Sequence, residues 1–246
     1  MSNPTTQAYE ELEAAFDHFN AALFNGQLPH CLITLQRGKR TYGYFSSKRF
    51  VRRHDKVLTD EIAMNPAYFA VVPMLEILQT LVHEMTHAWQ FHFGKPGRRG
   101  YHNKEWANKM ESIGLMPSST GQPGGAKTGE KMADYAIAGG RFMQAADELM
   151  ADGFGISWLD RFPVRLPSSM PGAVALDSAD DDNMAADADT GLDDELAGLL
   201  VEQTGNKSNR VKYRCASCGV QAWGKPGLRL LCGVPECKAA ELLPVE

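Results

Sequence analysis

The spacing of apolar positions divides the chain into a patterned N-terminal part, a stretch with no pattern, and a short patterned tail. In residues 6–24, Leu12, Phe16, Phe19, Leu23 and Phe24 recur at three- to four-residue intervals, which predicts an amphipathic helix. Asn25-Gly26 stops it and Leu28-Pro29 turns the chain. Residues 31–36 and 41–45 read as strands joined like a hairpin across a basic turn, with Gly43 suited to a close backbone approach. Residues 60–65 read as a third strand, stopped by Asn65-Pro66. From Pro73 to Phe93 the residues Met74, Leu75, Ile77, Leu78, Leu81, Val82, Met85 and Trp89 cover most of a helix surface, so this helix is predicted to be buried. Gly94-Lys-Pro-Gly97 ends it. A helix opening at His102 carries the stripe Trp106, Met110 and Ile113. Residues 117–129 read as a loop, and 130–160 hold helical spacing through Met132, Tyr135, Ile137, Phe142, Ala145, Leu149 and Met150. The expectation is an α+β domain over residues 6–162, with helices packed on a small, mostly antiparallel sheet.

Charge changes this picture in the middle of the chain. The formal net charge is −5, yet residues 166–206 hold ten acidic residues and no Lys or Arg. The remainder carries 20 acidic against 25 basic residues, a balance that permits an anionic partner. Residues 163–209 are Pro/Ser-rich and then Asp/Ala-rich, and they are expected to be an acidic flexible linker, with a short helical patch around Leu196, Leu199 and Leu200. No apolar run approaches the roughly 20 residues that span a bilayer, and the polar N-terminus does not resemble a signal peptide. A cytoplasmic protein with no membrane partner is expected.

Candidate chemistry centres on the buried helix. His83-Glu84-Met85-Thr86-His87 reads H-E-x-x-H. Histidines four apart share a helix face, so both imidazoles can reach one metal ion. A carboxylate directly after the first histidine can sit beside a metal-bound water. Two histidines and a glutamate are costly on a buried helix unless something satisfies them, and Zn2+ with an open position for water does so. Glu84 is then the general base and acid. The third ligand is expected to be His102, with Glu111 on the same helix as the alternative. His92, nine residues after His83, points away. Tyr101 and Tyr135 could polarise a carbonyl, but core roles suit them better.

Four of the five cysteines lie in the tail. Cys215-x2-Cys218 and Cys232-x4-Cys237 form two pairs that predict a second, structural Zn2+ in a ribbon over residues 210–246. Cys31 stands alone and reads as a small buried residue. Two stretches combine cations with aromatics and are nucleic-acid candidates. One is Arg37, Lys39, Arg40, Lys48, Arg49, Arg52 and Arg53, interleaved with Tyr42, Tyr44, Phe45 and Phe50; the other is Lys212, Arg214 and Trp223 in the tail.

Together, Phe24-Asn-Gly-Gln-Leu-Pro29, His83-Glu84-x-x-His87-Ala88, His102-x-x-x-Trp106 and Gly114-Leu-Met-Pro117 resemble the SprT-like family, which includes the Spartan proteases. The resemblance runs from about Tyr9 to Leu115 and adds the terminal ribbon. It implies a zincin-like metalloprotease domain with zinc on His83, His87 and His102, and Glu84 as base. It also implies DNA as a partner, in single-stranded or junction-like form, and proteolysis of DNA-bound or DNA-crosslinked proteins. The acidic insert departs from that arrangement. Two other readings stay open: a non-catalytic, nucleic-acid-associated zinc protein, and a metallopeptidase indifferent to DNA. An extended substrate is expected to pair with an edge strand near residues 61–65.

Overall fold

The structure is a computed structural model, and it describes residues 3–38, 41–98, 100–165, 194–200 and 210–245. The chain separates into two compact units, Met1–Glu202 and Gln203–Glu246.

The first unit begins with helix α1, Pro4–Phe24. Asn3 caps it, its side-chain oxygen accepting from the Thr5 N–H, and Pro4 takes the first turn, where no N–H is needed. Asn25 ends it in the left-handed conformation, at φ 57°. The buried Asn20 amide then closes the Phe24–Pro29 turn, donating to the Leu28 carbonyl at 3.0 Å and accepting from its N–H at 3.1 Å. The predicted helical stripe is the buried face, and Phe19 stacks on Phe142 with centroids 5.8 Å apart.

Strands β1 (Leu32–Leu35), β2 (Gly43–Val51) and β3 (Leu58–Met64) form one sheet in the order β1-β3-β2. β1 runs parallel to β3, and β2 antiparallel to it. Two expectations need correction here. Strands β1 and β2 are not a hairpin, because β3 lies between them; the hairpin is β2–β3, whose turn carries Arg52 and Arg53. Residues 61–65 are not at an edge, because β3 is paired on both sides.

Helix α2, Met74–Phe93, packs on this sheet and buries twelve of its residues. Its approach to β2 depends on Gly43: a Cβ there would lie 2.8 Å from the Ala63 carbonyl oxygen and 3.1 Å from Thr80 Cγ2. Helix α3, Lys104–Ile113, starts two residues later than expected and leaves His102 outside it. Gly114 ends α3 at φ 96°, where a Cβ would meet the Arg141 and Phe142 nitrogens at 2.8 and 2.7 Å. Strands β4 (Leu115–Ser118) and β5 (Ala133–Ala136) then pair antiparallel. Met132, Tyr135 and Ile137 therefore belong to a strand region and not to a helix. Helix α4, Arg141–Ala151, completes the layer against α1, where the His18 ring donates to the Ala145 carbonyl at 2.7 Å. The following segment runs back along the unit: Ser157 bonds to Glu11, and the Val164 N–H reaches the Ala67 carbonyl.

Within the expected linker, Asp194–Leu199 forms a short helix, α5, as the leucine spacing predicts. Arg161 donates to the Leu199 carbonyl at 3.1 Å. Linker residues 166–193 and 201–209 lie outside the described residues.

The second unit is a four-stranded antiparallel sheet in the order β7-β6-β9-β8, built from β6 (Val211–Cys215), β7 (Gln221–Gly224), β8 (Leu230–Leu231) and β9 (Glu241–Val245). Its core is small: Tyr213, Cys215, Cys232 and Leu242.

Candidate metal centres

His83 and His87 project from one face of α2, and His102 enters from the segment before α3. One ligand atom from each lies within 4.8 Å of the other two. His87 Nε2 and His102 Nε2 are 3.1 Å apart. Tetrahedral zinc at about 2.05 Å from each nitrogen would separate them by roughly 3.3 Å, so the spacing fits.

Two of the rings are oriented from behind. His83 Nδ1–H donates to Asp134 Oδ2 at 2.7 Å. His102 Nδ1–H donates to the Gly129 carbonyl at 3.2 Å. Both contacts leave Nε2 with the lone pair directed into the cluster, as metal-binding histidines require. His102 is itself held by a reciprocal backbone bridge with Gly129. Its neighbour Asn103 caps α3, accepting from the Trp106 N–H at 3.1 Å, and accepts from the buried Gln90 of α2 at 2.7 Å. That web ties the start of α3 to α2 and sets the reach of His102. Trp106, fully buried, packs against all three imidazoles with centroids 4.4–5.3 Å away.

The electrostatics suit a cation. Burial, then the neighbouring histidines, holds His87 well below its ordinary pKa. Burial, then His83, lowers His102 to about 3. Neutral imidazole is the form that binds metal. Burial raises the Asp134 carboxyl, and its bond to His83 opposes the rise. Glu84 is buried beside His83 on α2, and a Cβ on Gly43 would lie 3.5 Å from its Cγ. A helix that carries two donors and a carboxylate, a third donor from a separate segment, and a strand crossing at Glu84 together make a candidate metal site with a carboxylate beside it.

The other candidates separate cleanly. Glu111 is engaged with Lys127 at 3.0 Å and is not in the cluster. His92 bonds to Asp60 at 2.6 Å, away from the site. Tyr101 lies under the Arg98 guanidinium. Cys31 packs against the core, and burial pushes its thiol up to about 12. Asp134, Gln79, Gly129 and Gln90 escape the sequence reading. Asp134 stands 51 residues from His83, in a four-residue strand too short for alternation to show.

The four tail cysteines also converge, one ligand atom from each falling within 4.8 Å of the others. Cys218 and Cys232 sulfurs are 3.5 Å apart. The Cys218 and Ser217 backbone N–H groups lower Cys215 to about 6, while the Cys218 side chain pushes Cys237 up to about 12. Four sulfur donors at tetrahedral reach fit a closed zinc site.

Of the nucleic-acid candidates, Arg37 is paired with Asp160 at 2.7 Å, Arg52 with Asp55 at 2.9 and 2.7 Å, and Arg49 lies 3.9 Å from Glu61. Lys48 sits over the Phe91 ring, and Arg53 lies in the β2–β3 turn with Arg52. Lys39 and Arg40 lie outside the described residues. In the second unit, strand register places Lys212 opposite Trp223 and Val245, and Arg214 opposite Gln221 and Leu243. These side chains share the sheet face opposite Tyr213 and Cys215. Trp223 is 61% exposed on it, with the Lys212 ammonium 5.9 Å from its ring centroid.

Comparison with known proteins gives the family. The SprT-like family matches residues 12–124, and the chain belongs to that family. A Salmonella typhimurium protein described as an uncharacterized protein in the mucB 3′ region is 59% identical over 59 residues, which is 24% of this chain and 80% of that protein. No solved structure matches.

Proposed function

We propose that the chain is a zinc-dependent metallopeptidase of the SprT-like, zincin-like type, acting on proteins held on DNA. The observation that carries this reading is the convergence of His83, His87 and His102, with buried Glu84 directly beside His83 on the same helix. A Zn2+ ion held by three neutral imidazoles would have room for a non-protein ligand, and it would polarise a scissile carbonyl and acidify a water. The chain's own residues do the rest. The three Nε2 atoms would hold the ion, while Asp134 and the Gly129 carbonyl fix two of the rings. Glu84 takes a proton from the attacking water as its oxygen adds to the carbonyl carbon. It then delivers that proton to the departing amine nitrogen as the C–N bond breaks.

The sheet supports one mode of substrate placement. Strand β2 is paired with β3 alone among the described residues, so its other edge can accept an extended peptide as an added strand. Gly43 brings that strand close to Glu84. Such pairing reads backbone more than side chains, which suits broad substrate choice. DNA is the partner that best fits the basic β2–β3 hairpin, with Lys48, Arg49, Arg52, Arg53 and half-exposed Phe50. It also suits the ribbon face of Lys212, Arg214 and Trp223.

The test incubates the zinc-loaded chain with a DNA-binding protein substrate, with and without single- and double-stranded DNA, beside Glu84→Gln. Cleavage that needs DNA and falls about 10²–10⁴-fold in the variant, with zinc content equal, is the expected result. Cleavage indifferent to DNA points to a general peptidase, and none under any condition points to a non-catalytic zinc protein. In parallel, Trp223→Ala is expected to weaken single-stranded DNA binding by about 1–3 kcal/mol, read by fluorescence anisotropy.

A further inference from the structure

We propose that Asp134 and Gln79 form a positioning pair for His83 that sets the metal affinity of the histidine site. The inference rests on the reading of His83, His87 and His102 as ligands. Asp134 Oδ2 accepts from His83 Nδ1–H at 2.7 Å, and Oδ1 accepts from Gln79 Nε2 at 2.7 Å. The same Gln79 nitrogen reaches the Asp134 backbone carbonyl at 2.9 Å. Both Gln79 amide hydrogens therefore go to one residue. All three side chains are buried. Gln79 stands four residues before His83, on the same face of α2, so the pair docks β5 against this helix at a fixed register.

Each part of the geometry has a consequence for the metal. A carboxylate can only accept, so the proton of His83 stays on Nδ1 and Nε2 keeps its lone pair. Gln79 fixes the carboxylate plane, which fixes the ring plane. Charge points the same way. A divalent ion on three neutral imidazoles brings two positive charges into a dry site. Glu84 and Asp134 are buried carboxylates next to the ligand residues, and in ionised form they would offset the charge of a bound ion. Asp134 is thus a counter-charge as well as a clamp.

Cobalt(II) tests this in the full chain. On thiolates it gives intense near-ultraviolet bands and strong bands at the red end of the visible, whereas on nitrogen and oxygen ligands it gives weaker visible bands at shorter wavelength, so the two sites are separated by wavelength and intensity. Asp134→Asn is expected to weaken the nitrogen-ligand site by about 10–100-fold against a competing chelator, with the thiolate bands unchanged. Gln79→Leu is expected to produce a smaller loss. Combining Gln79→Glu with Asp134→Asn is expected to recover part of the loss. In that double variant the carboxylate moves to the helix, accepts from the side-chain amide on β5, and turns the amide oxygen towards His83.

Unchanged cobalt affinity in Asp134→Asn overturns the proposal, even if the metal-free protein melts lower, because that is what a merely structural residue would do. If that variant does not fold, unchanged affinity in Gln79→Leu overturns it. His83→Ala is the control for the underlying reading: nitrogen-ligand bands that survive it mean the histidines are not the ligands, which is a different failure.

Discussion

The histidine and cysteine clusters lie in the same chain, yet they stand in opposite relations to the fold around them. The histidines are held by protein groups around them. His83 leans on Asp134, His102 on Gly129, and Trp106 backs all three rings within the large core of the first unit. The cysteines have little behind them. Their unit buries Tyr213, Cys215, Cys232 and Leu242, while Cys218 is exposed. In the first case the fold builds the site. In the second, a core this small would leave a metal on the four cysteines as the main source of stability, so that the site would build the fold. The donor sets differ in the same way: around a metal ion, three nitrogens would leave room for a further ligand, whereas four sulfurs would close the shell.

The largest expected effect separates the two directly. Metal removal by a strong chelator is expected to unfold the second unit, since structural zinc contributes on the order of 10–16 kcal/mol of apparent binding free energy in small modules. The first unit should keep its helices. Amide NMR spectra read both outcomes at once: loss of dispersion confined to residues 210–245 sustains the contrast, and loss across both units removes it. Cys232→Ser should reproduce the selective loss.

A second effect probes how far the histidine site depends on its core. Trp106→Ala leaves a cavity behind three imidazoles and is expected to cost the first unit about 3–5 kcal/mol, read by urea unfolding of the metal-free protein. A cost below about 1 kcal/mol would mean that the rings are not held by packing. Gly43→Ala should cost less, about 1–3 kcal/mol, because its Cβ meets the Ala63 carbonyl and Thr80, and one of these must shift.

The same contrast explains what is legible in the sequence. The H-E-x-x-H pair is a local pattern, and its helix is plain from a nearly continuous apolar surface. The four cysteines are likewise two local pairs. His102 can be reached because few ligand types stand near, although it precedes α3 where a place within the helix is expected. Everything that depends on non-local pairing is hidden. Strand β3 inserts between β1 and β2, an order that hydrophobic spacing does not encode. Asp134 is concealed twice over: its strand has four residues, and Met132, Tyr135 and Ile137 imitate helical spacing around it. Gly43 alone gives a non-local hint, because a glycine within a strand pattern suggests close backbone contact.

The last expected effect is a pH dependence centred on the histidine site. His102, at about 3, and His87, also lowered, take up protons more readily in the unfolded chain, where histidine titrates near 6.5. Metal-free stability should therefore be complete above about pH 6.5 and fall as the pH drops from there towards 3. Asp134, raised by burial, opposes this trend, and Glu76 acts in the same opposing sense. Burial raises Glu76 to about 7, so the folded state binds its proton first and gains stability as the pH falls from 7 towards 4.5. The measurement is thus made in Glu76→Gln, with melting temperature followed from about pH 7.5 to about pH 4.5. The metal-free protein is expected to lose stability steadily below about pH 6.5. With zinc bound, the curve should stay flat until protons displace the ion. The first unit then shows a pH-sensitive site inside a fold that survives without metal, where the ribbon has no comparable metal-free fold to titrate. Parallel curves with and without zinc would mean that the histidines are not what the ion protects.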